Sequence, residues 1–203
     1  MISVVIPAFN EGEGIEACLK SVCDQTLPRD QYEVIVVDGN SKDNTREIAA
    51  KYADKVFIQT SKKVGGARND GVMEAKYDWI VTADADCFFP RTWLETIVND
   101  FKNHPEASTF YGPIYPLEPG LKHKIEVFLY NRVVWLGGKT GIFYATLGAN
   151  TAFRKKEFIE AGMYRVCDAG DDWELPKRMK HFGKVHLDMK MIVGFSMRRY
   201  INF

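Results

Sequence analysis

The stretch WIVTADADCFFP, residues 79–90, starts as strand material and ends in two aspartates one residue apart, Asp84 and Asp86. Side chains at i and i+2 of a strand point to the same side, so this reading puts both carboxylates in one spot. Two such charges about 4 Å apart, at an effective dielectric near 20, repel by roughly 4 kcal/mol. An isolated D-x-D is more often a solvated strand end than a site. Here it closes the last of four apolar runs that alternate with helix-period segments, and that context changes its meaning.

The other runs are ISVVIP (2–7), EVIVVD (33–38) and KVFIQT (55–60), all rich in β-branched residues. Between them the spacing predicts a helix capped by Asn10 that carries Ile15, Cys18, Leu19 and Val22. A second helix is predicted after a cap at Ser41 or Asp43, with Glu47 in its first turn. A third covers 67–76, and a fourth lies in RTWLETIVNDFKN (91–103), entered through Pro90. Apolar strands alternating with helices predict an α/β fold with a mostly parallel sheet and helices on both faces. Ligands bind such sheets at the carboxyl ends of the strands, where Asn10, Glu11, Asp38, Asp84 and Asp86 all fall.

From about residue 105 the pattern changes. ASTFYGPIYP (107–116) reads as a strand, 118–136 as a helix, and YATLGANTAFRKKEFIEAG (144–162) as a strand then a helix. GDDWELPKRMKHFG (170–183) enters another helix, and strand-like segments close the chain. No Gly/Ser/Pro linker divides the halves. The expectation is one domain over 1–203, with a nucleotide-sized half (about 1–104) and an acceptor-sized half (about 105–203).

The composition is that of an ordinary globular protein, 46% hydrophobic and 27% charged. Its formal net charge of zero argues against nucleic acid as a partner, since phosphate backbones select a cationic excess. Four cysteines without zinc spacing or disulfide density fit a reducing compartment. The N-terminal MISVVIPAFNEG lacks the features of a signal peptide, and no run of about 18 apolar residues occurs. The expectation is a cytoplasmic protein. KIEVFLYNRVVWL (124–136) is predicted to bury the stripe Ile125, Phe128, Leu129, Val133 and Leu136. The residual apolar surface of Val127, Tyr130, Val134 and Trp135, with Lys122, Lys124, Arg132 and Lys139 nearby, leaves peripheral contact with the cytoplasmic face of a membrane open.

Several clusters bear chemistry. Paired carboxylates at a binding edge suit Mg²⁺ or Mn²⁺, which take a few carboxylates plus water and substrate phosphates. Asp38 is either a turn former or an acceptor for a base N–H or ribose hydroxyl. KKVGGARNDG (62–71) is neither a dinucleotide fingerprint nor a Walker loop, but a basic, glycine-permissive helix entry suits phosphate. CDAGDDWELPKR gathers Asp168, Asp171, Asp172 and Glu174 around Trp173. Some of these serve the helix dipole, and one is a candidate general base. The four histidines are scattered and read as structural or solvated, and Cys87 as a packing residue.

Taken in order, VVIPAFNEGEGIEACLKSV, VIVVDGNSKDNT, GGARNDG, DADC, LGANTAFRKKEF and GDDWELPKRMKHFG make the chain resemble glycosyltransferase family 2 from residue 2 to about 200. The resemblance implies a single A-type glycosyltransferase domain, a nucleoside-diphosphate sugar donor, Mn²⁺ or Mg²⁺, and inversion at the anomeric carbon. It implies that Pro7, Ala8, Asn10 and Glu11 line the nucleoside pocket and Asp38 holds the base. Gly65 and Arg68 would lie at the base or phosphates, and Asp84, Ala85 and Asp86 at the ribose, metal and diphosphate. Asp172 would be the general base. Gly148, Asn150, Asp171 and Trp173 would face a glycan, glycoconjugate or lipid-linked acceptor, and Arg198 or Arg199 the diphosphate.

Position 171 departs from the family's pattern as Asp rather than Glu. SMRRY (196–200) lacks the Gln-x-x-Arg-Trp of processive synthases, so a non-processive enzyme is expected. Phe88 stands where polyprenyl-phosphate sugar synthases often place a polar metal ligand. That synthase, and a nucleotide-sugar-binding module without turnover, are the alternatives. A sugar nucleotidyltransferase would normally carry a glycine-rich basic signature where IPAFNEG stands.

Overall fold

The structure is a computed structural model and describes residues 1–167 and 171–198, the side chain of Asp171 excepted. The apolar runs become strands β1 (Ile2–Ala8), β2 (Tyr32–Asp38), β3 (Lys55–Ile58) and β4 (Trp79–Ala83). Between and after them come α1 (Ile15–Cys23), α2 (Thr45–Ala49), α3 (Lys63–Glu74), the short strand β5 (Cys87–Phe88) and α4 (Trp93–Asn103). The second half contributes β6 (Ala107–Tyr111), β7 (Ile114–Pro116), α5 (Leu121–Thr140), β8 (Asn150–Arg154) and α6 (Lys155–Glu160). It continues with α7 (Asp171–Met179), β9 (Lys184–Leu187) and β10 (Val193–Phe195).

A seven-stranded sheet has the order β3-β2-β1-β4-β8-β6-β9, and a three-stranded sheet the order β5-β10-β7. The first four strands are parallel, while β8 runs antiparallel to both β4 and β6. Because β8 of the second half pairs with β4 of the first, one sheet runs through both. β1, β2 and β4 are mostly apolar because both of their faces are covered, whereas the outer strand β3 is partly exposed. Val4, Ile6, Val34, Val36 and Val81 pack with Ile15, Leu19 and Val22 of α1 and Trp93 and Ile97 of α4. The alternate residues Val5, Ile35, Val37 and Ile80 pack with Ala67 and Val72 of α3 and Phe158, Leu175 and Met179 of α6 and α7. Each such side chain, fully buried, contributes about 1.5–3 kcal/mol.

The structure corrects several sequence-based expectations. Asn10 does not cap α1. The helix opens behind Gly14, and Asn10 sits in the left-handed region at φ 53°. The second helix is a single short turn after Asn44, although Asp43 still accepts from the Thr45 N–H at 3.1 Å. The third helix begins at Lys63, not 67, because Gly65, Gly66 and Ala67 are buried inside it instead of forming a loop. Residues 107–116 split at Gly112-Pro113 into strands of two different sheets.

The largest correction concerns α5. Ile125, Phe128, Leu129, Val133 and Leu136, predicted to be buried, are exposed; Val127, Val134 and Gly137 face inward instead. This helix is apolar on more than one side, so periodicity cannot choose its face. Close approach chooses it: a Cβ on Gly137 would lie 2.7 Å from the Phe143 carbonyl oxygen, so that side must pack inward. Val134 then joins Tyr111, Ala145 and Val185 in a small core. No described helix is long and apolar enough to cross a membrane.

Candidate active site

The loops after β1 and β2 are laced together. The Asn10 N–H donates to Ser41 Oγ, and Asn10 Oδ1 accepts from the Lys42 N–H, each at 2.9 Å. The Glu11 N–H donates to Thr45 Oγ1 and the Gly12 N–H to Asp43 Oδ2, again at 2.9 Å. Four short bonds thus hold the chain that follows Ala8. Asp38, at the end of β2, is fully buried. Its Oδ2 accepts from the Ser41 N–H at 2.9 Å and lies 3.4 Å from Arg46 Nε. Its Oδ1 is buried with no hydrogen-bond partner among the described residues, which costs about 1–3 kcal/mol unless a donor arrives.

These loops border a cavity of about 730 Å³, lined by Pro7, Ala8, Asn10, Glu11, Asp84, Ala85 and Asp86 among the residues expected from sequence. That volume lies within the range that holds a small-molecule ligand. Phe9, Gly39, Gln59, Lys63, Phe195 and Ser196 also line it and were missed. The lysine pair at 62–63 hinted at one of them. Phe195 and Ser196 arrive from the distant β10 and have no local signal. Lys63 adopts φ 62°, a left-handed backbone costing about 1–2 kcal/mol in a non-glycine residue.

Asp84 and Asp86 both face this cavity, though not by strand alternation. β4 ends at Ala83, and the aspartates sit in a turn closed by the Cys87 N–H to Asp84 C=O bond at 3.2 Å. Part of their repulsion is offset by the protein itself. Arg68, only 4% exposed, reaches out of α3 and places Nη2 2.7 Å from Asp84 Oδ1 and Nη1 3.2 Å from Asp172 Oδ1. Burial opposes its charge, but Asp84 and then Asp172 outweigh burial and raise its pKa further. Gly148 makes the passage possible, since a Cβ there would lie 2.2 Å from Arg68 Cζ. Arg68 therefore links the donor-side acids to the expected base. It lies beneath the cavity, not at its wall.

Asp172 sits in the first turn of α7, a helix interrupted by Pro176. Proline has no N–H, so the carbonyl four residues earlier, that of Asp172, loses its helical partner. The Thr146 hydroxyl donates to that carbonyl instead. The turn that carries Asp172 is thereby pinned to the loop that contains Gly148. Trp173 beside it is half exposed, and Asp171 opens the helix. Glu174 is engaged by Arg178 and Arg165.

Asn150 is fully buried, accepting from Trp93 Nε1 at 3.0 Å and donating to the Met191 carbonyl at 2.6 Å, which makes it a strut of the core. Gly65 is likewise buried within α3. Arg198 stands at the rim, 3.2 Å from Glu11 Oε2 and bonded through Nε to Ser196 Oγ at 3.1 Å. Arg199 and Asp168 lie outside the described residues. The thiols of Cys18 and Cys87 are pushed up by burial and by the two aspartates, so neither is an available nucleophile.

The donor set at the cavity wall fits a hard divalent cation: two partly exposed carboxylates facing open space, where water and phosphate oxygens can complete the shell. A sequence profile of glycosyl transferase family 2 matches residues 3–155. The chain belongs to glycosyltransferase family 2.

Among curated relatives, the glycosyltransferase AglE of Haloferax volcanii is 39% identical over 100 residues, 46% of this chain and 33% of that protein. The cholesterol galactosyltransferase of Borreliella burgdorferi is 34% identical over 131 residues, 61% of this chain and 36% of its own length. The chain thus spans about a third of the length of these relatives. The fold is the A-type glycosyltransferase fold. S. aureus TarS 1–349 in complex with UDP-GlcNAc superposes with a TM-score of 0.77 at 17% identity, over 97% of this chain and 58% of TarS 1–349. The mannosyltransferase PcManGT of Pyrobaculum calidifontis, in complex with GDP-Man and Mn²⁺, gives 0.72 at 19% identity, over 95% and 56%.

Proposed function

We propose that this family 2 member is an inverting, non-processive glycosyltransferase that moves a sugar from a nucleoside-diphosphate sugar to an acceptor hydroxyl. Residues 1–104 and 105–203 work in this reading as one domain. The observation that carries it is the Arg68 bridge, which sets Asp172 beside the Asp84–Asp86 wall of a donor-sized cavity.

In the reaction, the acceptor oxygen attacks C1 of the donor sugar from the face opposite the diphosphate. The C1–O bond breaks and its electron pair leaves with the nucleoside diphosphate, while the acceptor's proton passes to the Asp172 carboxylate. Asp38 Oδ1 takes a base N–H, and Lys63 and Arg198 serve the diphosphate side. Asp84 and Asp86 would hold Mn²⁺ or Mg²⁺, which when bound would supply positive charge to neutralise the leaving diphosphate. Trp173 offers an apolar face to a glycan, glycoconjugate or lipid-linked acceptor.

The exposed face of α5 favours an acceptor presented at a membrane. Leu121, Ile125, Phe128, Leu129, Trp135 and Leu136 are exposed there, interspersed with Lys122, Lys124, Arg132 and Lys139. The helix has one acid, Glu126, which pairs with Lys122 and His123. In a chain of zero formal net charge, this cationic and apolar surface matches an anionic lipid surface at the cytoplasmic face.

UDP-, GDP- and dTDP-sugars screened by thermal shift with and without Mn²⁺, followed by nucleotide-release assays with the stabilising donor, test the proposal. A Mn²⁺-dependent rise in Tm with one base class, and transfer that Asp172→Asn lowers by about 10²–10⁴-fold, is the expected outcome. Indifference to every donor refutes it.

A further inference from the structure

Sequence spacing leaves the histidines scattered, but the fold brings two of them together at a place that does not line the donor cavity. Asp100 and His104 lie one turn apart at the end of α4, and His186 on β9 comes beside them. The two imidazole rings are stacked with centroids 4.2 Å apart. One donor atom from each of the three residues lies within 4.8 Å of the others. Asp100 is 8% exposed, and its buried Oδ2 meets no N–H or hydroxyl donor among the described residues, only the carboxyl of Asp188. The Asp188 carboxyl, two residues along from His186, is close enough to Asp100 to act on its charge. Glu106 lies 3.4 Å from His104 Nδ1, and Lys184 and Lys190 are the nearby cations.

Two carboxyls held this close in a largely buried place repel unless a shared proton or a cation joins them. Two imidazoles with carboxylates form a borderline donor set that selects Zn²⁺ over the Mg²⁺ or Mn²⁺ favoured by oxygen-only ligands. We propose that Asp100, His104 and His186, with Asp188 as fourth donor, form a structural Zn²⁺ site independent of the catalytic wall. Donor atoms of Asp100, His104 and His186 already lie within 4.8 Å of one another; turning the stacked imidazoles would aim their nitrogens at one ion, at Zn–N of about 2.0–2.1 Å, and Asp188 would have to swing in as the fourth. Its place in the fold gives it work. β9 is the outer strand of the large sheet, and the chain beyond it delivers Phe195 and Ser196 to the donor cavity. A metal joining β9 to the end of α4 anchors that delivery without touching substrate.

The test is Zn²⁺ retention after gel filtration of the EDTA-stripped chain reloaded with Zn²⁺ alone, together with the visible spectrum of the Co²⁺-loaded form. The expected result is one equivalent retained, intense tetrahedral Co²⁺ bands, and a Tm raised by about 5–10 °C at roughly 100-fold excess over Kd. His104→Ala and His186→Ala should each lose the retained metal and the bands. Their Tm in EDTA should match that of the stripped parent, because both imidazoles are partly exposed. Asp86→Asn should keep the metal, which separates this site from the donor wall and from any failure of the glycosyltransfer reading. Retention unchanged in the double histidine variant, or no retention by the parent chain, overturns the proposal.

Discussion

The Arg68 guanidinium lies 3.2 Å from the Asp172 carboxylate although 104 residues separate them, and the same side chain holds Asp84 at 2.7 Å. One buried cation thus joins the two acids on which the proposed chemistry depends. Arg68→Ala leaves both carboxylates without it, and removing one member of a buried ion pair costs about 3–5 kcal/mol. Urea unfolding should register a loss of that size. Arg68→Lys retains the charge but not the two-pronged reach, so it should fold better than the alanine variant and still turn over poorly. Gly148→Ala, by crowding the same guanidinium, should cost about 1–3 kcal/mol.

Asp172→Asn should lower kcat by about 10²–10⁴-fold with donor Kd little changed. Activity within tenfold of the parent would remove Asp172 from the role of base. Its positioning has a separate test. Thr146→Val removes the hydroxyl that donates to the Asp172 carbonyl, whereas Pro176→Ala returns the missing helical N–H. The double variant should therefore recover much of the stability and kcat lost by Thr146→Val alone.

Asp86→Ala should abolish the Mn²⁺ dependence of donor binding measured by calorimetry. Donor affinity that is equal with and without Mn²⁺ in the parent chain would refute the metal role of Asp84 and Asp86.

Asp70 holds the pocket-lining segment from α3, accepting from the Thr60 N–H at 2.6 Å and the Ser61 hydroxyl at 2.6 Å. Burial alone would raise its pKa, but the hydroxyl and N–H groups of Ser61 and Thr60 outweigh burial and lower it. A carboxylate depressed in the folded state contributes stability above its unfolded value, about pH 4, and loses it as pH falls through the folded value. Asp70→Asn should destabilise the chain by about 1–3 kcal/mol at neutral pH. It should also flatten the acid limb of the stability profile below about pH 4, measured by urea titration. An unchanged acid limb would show that Asp70 is not responsible.

For α5, Phe128→Ser with Trp135→Ser should reduce co-sedimentation with vesicles of phosphatidylglycerol and phosphatidylcholine, without a change in Tm, because both side chains are exposed. Added salt should weaken the parent's binding, as Lys122, Lys124, Arg132 and Lys139 contribute electrostatically. Binding equal to the parent's would exclude this face.

Much of the fold was legible in the chain itself. β-Branched runs at 2–7, 33–38, 55–60 and 79–83 have one physical solution, a parallel sheet covered on both sides, and acids placed just after such runs fall at its binding edge. The local sequence therefore determined the strands, the family and the cavity wall of Pro7, Asn10, Glu11, Asp84 and Asp86. Only the tertiary structure decided what those acids meet. Arg68 reads as a helix-entry phosphate ligand, yet it turns inward because Gly148 leaves room for it and Asp172 waits beyond. The inward face of α5 was set by Gly137 and the small core around Val134, since a helix apolar on several sides carries no periodic signal to choose one. His104 and His186 met through the pairing of β9 with β6. Local spacing encodes elements, whereas these contacts depend on which distant surfaces approach most closely.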